Sequence, residues 1–419
     1  MKASPRRSTI LALTAMITLA GVFSVRTWTR FTPGSDFYVY YTAACLVGRD
    51  ASRHIYDGAN PGESPQLVIA RPGTLFAQTA LSHGIPQVML YIYPPVLADL
   101  LLPLTLLSPH RALLFWDALN LAMMLVVSVL LAGALRLQLP GWGAALVGIC
   151  CFFRPTMHCL FWGQVPILLL FLLTLGMVFY VGDRRVEAGC MFALATAIKL
   201  TPLIVVLPFL VWRDWRMLRT MALWLIAISS FVWFFNGGAT LTNYFLHLVP
   251  SMASHGLGHL DNNRTLGALL FAFSHRINLG LGSRGALWLV RFGSVVLIAV
   301  TVFVARPPAG LGLSRSDKVE VISCFLLLSC CLSPISWLYA YVLSLPTVVI
   351  CCARVLRGSS VLAQEILVVF FLLTLSTGRF YMTALTPLVG AALCIVSLHL
   401  VGRSPSSVEL GITRLVGVS

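Results

Sequence analysis

The sequence is short of charge. Lys, Arg, Asp and Glu make up only 10% of its 419 residues, against about 25% in ordinary soluble domains, which excludes a large water-solvated globule. Acidic residues number 14, and there are three lysines, Lys2, Lys199 and Lys318. Sustained alternation of apolar and polar residues is also missing, and that argues against a transmembrane barrel. No duplicated halves, the mark of many transporters, and no repeat array are evident. The eleven cysteines show no disulfide framework or metal spacing. They lie almost wholly in apolar stretches, as in Cys150-Cys151, Cys330-Cys331 and Cys351-Cys352, with Cys45 read as lying outside the membrane.

What is present is apolar: 58% of residues are hydrophobic, with a mean hydropathy of +0.89. Nearly charge-free runs of roughly 15–24 residues recur from end to end, and in hydrocarbon such runs satisfy their backbone only as helices. The sequence therefore predicts an all-α fold, a polytopic transmembrane helical bundle of about 10–12 membrane helices including short half-helices, as one domain over 1–419. The net charge of +15 comes mostly from arginines in short connections, where cytosolic placement and lipid headgroups account for it. Without a basic, aromatic-interleaved soluble module, no nucleic acid is expected as a partner; membrane lipids are.

Met1 to Val25 has the basic start of a signal peptide, in Arg6 and Arg7, but no small-residue cleavage site, and is read as a retained helix over roughly 8–25 with a cytosolic N-terminus. Residues 26–111 then form an extracytoplasmic loop with juxtamembrane helices. In it the Tyr93-Pro94-Pro95 piece, ending near Leu107, is too short to span and is read as interfacial or re-entrant. Further helices are expected at 112–135, 143–160, 165–181, 220–236, 285–304, 319–333, 337–354, 361–377 and 380–400. Trp162-Gly163-Gln164 makes a bend, and Pro202 divides 188–212 into two half-helices, with a single tilted span as the alternative. Residues 237–284 form a second, polar extracytoplasmic loop, and 401–419 a cytosolic tail.

Ionisable groups at a membrane edge are costly and therefore suspect. Lys199 sits at the tip of the half-helix pair, where a fixed cation could meet a phosphate or simply snorkel to an interface. Outside carboxylates are few: Asp36, Asp50, Asp57, Glu63, Asp99 and Asp261. Asp36 lies among aromatics, in Gly34-Ser35-Asp36-Phe37-Tyr38-Val39-Tyr40-Tyr41, where a partly desolvated carboxylate could serve as a base or cap the helix from Phe37. Tyr38, Tyr40, Tyr41, Tyr93, Trp162 and Trp337 could stack on a sugar or form the interfacial belt. Asp117, in an apolar helix, is expected to be paired within the bundle, and His247, His255 and His259 are read as loop residues rather than ligands.

Taken in order, these motifs resemble glycosyltransferase family 87, membrane enzymes of the GT-C class that use polyprenyl-phosphate sugars. The matching stretches are Ser35-Asp36-Phe37 through Tyr56-Asp57, Tyr93-Pro94-Pro95 with Pro103-Leu104, Gly163-Gln164, Gly189 through Ile198-Lys199-Leu200-Thr201-Pro202, Arg213-Asp214-Trp215-Arg216, Asn262 to Gly267, and Ser333-Pro334-Ile335-Ser336-Trp337. The resemblance implies a GT-C fold with the first extracytoplasmic loop roofing the active site. It implies inverting transfer of a sugar, mannose favoured, from a polyprenyl-phosphate donor to a lipid-linked or glycan acceptor of the cell envelope, at the extracytoplasmic face of a bacterial cytoplasmic membrane. Asp36 would be the general base, and the substrate would meet Lys199, Arg264, Asn262, Tyr40, Tyr93, Gln164, Trp337 and Tyr339. No metal or cofactor is implied. The family's asparagine after Gly-Gln-x is Pro166 here, and its histidine after Ser-Trp is Tyr339, followed by Tyr341. The rival classes are a transporter or lipid flippase, and an assembly protein without catalysis. Single cysteines introduced at Gln66 and Arg315 should label from opposite sides of the membrane; labelling from one side would overturn the topology.

Overall fold

The computed structural model describes residues 36–58, 69–134, 150, 153–255, 263–270, 283–306, 313–333 and 336–356. The expected helices at 8–25, 361–377 and 380–400, and most of the first half of 143–160, lie outside the described residues. What is described is helical, with one isolated antiparallel bridge between Ile69 and Met89.

In the region read as the first loop, α1 spans Asp36–Val47, α2 Leu75–Ser82 and α3 Pro95–Leu101, the last running on as a 3-10 turn over Leu102–Leu106. Pro95 opens α3 at its first turn, where a missing N–H costs nothing, and Thr74 caps α2 by accepting from the Ala77 N–H at 3.2 Å. Nearly every residue of α1 is buried, and it packs against α2 and α3. The short, proline-broken helix expected near Tyr93 is present.

The long helices follow: α4 Pro109–Ala134, α5 Arg154–Trp162, α6 Pro166–Val181 and α7 Arg185–Ile198. Between α5 and α6 the chain reverses at Gly163, whose φ of +65° a residue with a Cβ adopts only at a cost, and Pro166 then starts α6. α7 stops at Ile198 because Pro202 has no N–H to reach its carbonyl. Lys199 turns extended (φ −151°, ψ 134°), and a 3-10 turn over Thr201–Val205 leads to α8, Val206–Val211. The expected division of 188–212 is thus found, with the break at Lys199, three residues ahead of the proline.

α9, Trp215–Asn236, is capped by Asp214, which accepts from the Met217 N–H at 3.1 Å, and packs closely on α7. A Cβ on Gly189 of α7 would stand 2.6 Å from Thr220 of α9. The expected polar loop from 237 is instead helical over its first part: α10 Gly238–Asn243, a π turn Tyr244–Leu248 and α11 Val249–His255. After α12, Ser283–Val304, come α13, Arg315–Leu332, a 3-10 turn over Leu338–Ser344 and α14, Leu345–Leu356. Ser314 and Asp317 cap α13 reciprocally. α13 is buried on all sides from Val319 to Cys331, the mark of a central helix.

Among the described residues, α4 and α9 are long and apolar enough to cross a membrane. α9 leaves Leu223, Ile226, Trp233 and Phe234 exposed, an apolar face that lipid would solvate and water would not. α6, with 16 residues, reaches only about 24 Å. Asp117 of α4 is 5% exposed and its Oδ1 has no hydrogen-bond partner, so the expected pairing is not met at that atom.

A Cβ on Gly163 would lie 2.7 Å from that of Phe37 and 3.1 Å from Leu113. Gly163→Ala is expected to destabilise the protein by roughly 1–3 kcal/mol, read as a lowered melting temperature in detergent. Gly133→Ala, where nothing stands within 4 Å, should melt like the parent or slightly higher.

Candidate active site

Several helix ends and turns converge on a cavity of about 200 Å³. Asp36 and Tyr40 enter it from α1, Tyr93 from the strand-like approach to α3, and Gln164 from the turn after Gly163. Lys199 enters at the break after α7, and Trp337 and Tyr339 from the segment before α14. Seven of the nine residues expected at the site are thus gathered round one space, although they span 303 positions of the chain (Asp36 to Tyr339).

The local fold accounts for each. Asp36 is in the first turn of α1. Phe37 beside it packs on Trp116 of α4, ring centroids 6.1 Å apart, and the Trp116 indole donates to the Gly163 carbonyl at 3.0 Å. That contact draws the Gly163 turn against α1 and sets the Gln164 amide on the Asp36 carboxylate, to which its Nε2 donates. Gln164 Oε1 in turn accepts from the hydroxyls of Tyr40 (2.9 Å) and Tyr93 (3.3 Å), whose rings meet edge to face at 5.1 Å. Gln164 is 1% exposed, so the expected substrate ligand has most of its polar capacity taken up by protein.

Burial pushes the Asp36 carboxyl up from 3.8 to about 7, and the Gln164 hydrogen bond moderates that rise. Tyr40 and Tyr93 are held above the ordinary phenol range, chiefly by burial, so both are protonated donors at neutral pH. Lys199 Nζ lies 5.5 Å from the centroid of the Tyr93 ring; among the described residues it is the one cation lining the cavity, as Asp36 is the one carboxylate. The rest of the wall is mostly apolar, including Val39, Met89, Ile92, Val249 and Met252. Trp337 and Tyr339 stack edge to face at 5.6 Å.

Two expected residues are elsewhere. Arg264 does not line the cavity; its N–H donates to the Ser336 carbonyl at 2.8 Å, the Tyr341 hydroxyl donates to its carbonyl, and Asn263 Oδ1 accepts from the Ser336 N–H at 3.0 Å. The 263–265 stretch therefore buttresses the turn that carries Trp337 and Tyr339. Asn262 lies outside the described residues. Sequence reasoning missed Tyr244, which lines the cavity from the π turn; the sole signal was an aromatic residue inside a stretch read as a polar loop. Among the described residues no His, Cys, Asp and Glu cluster could hold a metal.

The sequence profile of glycosyltransferase family 87 matches residues 91–334. Among curated proteins the chain is similar to the polyprenol-phosphate-mannose-dependent alpha-(1-2)-phosphatidylinositol mannoside mannosyltransferase of Mycolicibacterium smegmatis, 27% identical over 308 residues, covering 68% of this chain and 67% of that protein. It is also similar to the protein of the same description from Mycobacterium tuberculosis, 28% identical over 162 residues, covering 39% of this chain and only 35% of that protein's length. No solved structure matches. With the profile match covering more than half of its length, the chain belongs to glycosyltransferase family 87 and is a glycosyltransferase.

Proposed function

We propose that the protein is a multi-pass membrane mannosyltransferase of GT-C type that takes the sugar from a polyprenyl-phosphate donor and passes it, with inversion, to a hydroxyl of a lipid-linked acceptor on the extracytoplasmic side. The observation that carries this reading is the pairing of one carboxylate and one cation in a single apolar, aromatic-walled cavity. The two mycobacterial relatives, described as polyprenol-phosphate-mannose-dependent, support the donor class.

In the reaction Asp36 takes the proton of the acceptor hydroxyl as that oxygen bonds to the anomeric carbon. The bond from that carbon to the phosphate oxygen breaks, and its electron pair leaves with the polyprenyl phosphate. Charge thus grows on the phosphate as it falls on Asp36. Lys199, with no ion pair to any described carboxylate, is free to offset it, and a fixed cation in a dry site is worth far more than one in water. Trp337 and Tyr339, which line the same cavity, offer ring surface to a hexose.

A base must be ionised to act, and Asp36 ionises at about 7. The rate of transfer of labelled mannose from polyprenyl-phosphate mannose should therefore rise with pH up to about 7 and level off above it. Asp36→Asn should lower it by about 10²–10⁴-fold without loss of folded protein; undiminished transfer by that variant would remove Asp36 from the mechanism. Lys199→Met, assayed alongside, should lose about 10²–10³-fold, mainly in kcat. A loss confined to KM would place Lys199 on the ground-state substrate alone.

A further inference from the structure

The Gln164 side chain is the polar link between the base and the aromatic wall. Its Nε2 donates to Asp36 Oδ2, while its Oε1 accepts from both Tyr40 and Tyr93. A buried amide can lie either way round, and here the two phenols decide. Turned over, Oε1 would face the carboxylate, acceptor against acceptor, the Tyr93 hydroxyl would lose the oxygen it donates to, and Tyr40 would keep only its 3.3 Å contact with the Tyr93 hydroxyl. Leaving such buried groups unpaired costs about 1–3 kcal/mol each, so one orientation prevails while Asp36 is ionised.

We propose that Gln164 is a positioning residue for the base: Tyr40 and Tyr93 lock its amide so that an N–H is always presented to Oδ2 of Asp36, favouring the ionised carboxylate and turning Oδ1 to the acceptor hydroxyl. The inference rests on the proposed transfer reaction for its meaning, but not for its test. It gives Gln164 a different task from the substrate contact implied by the resemblance, and it makes Tyr40 and Tyr93 part of the same device.

The setting makes that N–H consequential. The groups facing Asp36 from the surrounding elements are Tyr40 on its own helix, Tyr93 ahead of α3, Cys159 on α5 and Tyr339 ahead of α14. Lys199 lines the same cavity, but no ion pair joins it to Asp36. The neutral phenols and thiol stabilise an ionised carboxylate less than a direct N–H does, and burial opposes ionisation. A carboxylate without its donor would remain protonated through neutral pH and fail as a base.

The test compares wild type, Gln164→Met, which keeps an unbranched side chain without a donor, and Tyr40→Phe, which deletes one hydroxyl with almost no change of volume. Two readouts are taken on the full-length protein in detergent or proteoliposomes. In transfer from polyprenyl-phosphate mannose, Gln164→Met should move the acid limb of the kcat profile upward by about one pH unit or more, with KM for the donor within about twofold of wild type, and Tyr40→Phe should move it the same way by less. A limb that stays at about 7 together with a raised KM would make Gln164 a substrate ligand and overturn the proposal.

The second readout is melting temperature against pH, which needs no transfer. Because the Asp36 carboxyl is raised from 3.8 to about 7, the folded state holds its proton more tightly than the unfolded one. Its contribution to stability is therefore full below pH 3.8, falls as pH rises, and levels off above about 7. In Gln164→Met that decline should extend to higher pH, and Asp36→Asn should remove the Asp36 share of it, leaving the share of other buried carboxyls such as Asp99. An unchanged decline in Gln164→Met and in Tyr40→Phe overturns the proposal. If wild type transfers no mannose, the proposed function fails while the melting curves still decide the role of Gln164.

Discussion

Gly163 meets the first turn of α1 with only a hydrogen between its Cα and the Cβ of Phe37, and the geometry of the cavity depends on that approach. Trp116 holds the turn from the other side by bonding the Gly163 carbonyl. Three helices, α1, α4 and α5, are thereby fixed at one point without any charged group. The polar residues that follow this contact, Asp36 on one chain segment and Gln164 on the other, are then near enough to share a proton-bearing bond. Apolar packing comes first here and the polar arrangement is its result.

The same order of causes explains what could be read in advance. Helix ends have local reasons, and the Gly163 bend, the Pro95 start and the interruption before Pro202 were legible because glycine and proline act within a few residues of themselves. Asp36 and Lys199 were legible as scarce charges in a charge-poor chain. The destination of Arg264 was not: its backbone bonds the Ser336 carbonyl and the Tyr341 hydroxyl, and nothing local distinguishes an arginine that lines a cavity from one in a segment that braces its wall.

Tyr244 and Gln164 failed to declare themselves for a related reason. The segment from Gly238 to His255 is polar enough to pass for a loop, yet Gly237, with φ +79°, ends α9 and lets the chain restart as helix, with the Thr240 hydroxyl donating back to the Asn236 carbonyl at 2.9 Å. Gln164 was visible as a residue but not as a link, since its partners lie 124, 71 and 128 positions away. Amide orientation is a property of the packed state, and only a three-dimensional arrangement assigns it.

The apolar wall of the cavity has one more consequence. In the proposed reaction, a base held in an open, wet cleft would activate water as readily as an acceptor hydroxyl, and each such event would spend a donor without making product. Val39, Met89, Ile92, Val249 and Met252 offer water no hydrogen bonds, so water held there loses more than it gains. An acceptor that brings its hydroxyl on a hydrophobic or ring-stacked body has no such penalty. On the proposed reaction, the choice between transfer and hydrolysis would be set by apolar side chains that touch no proton at all.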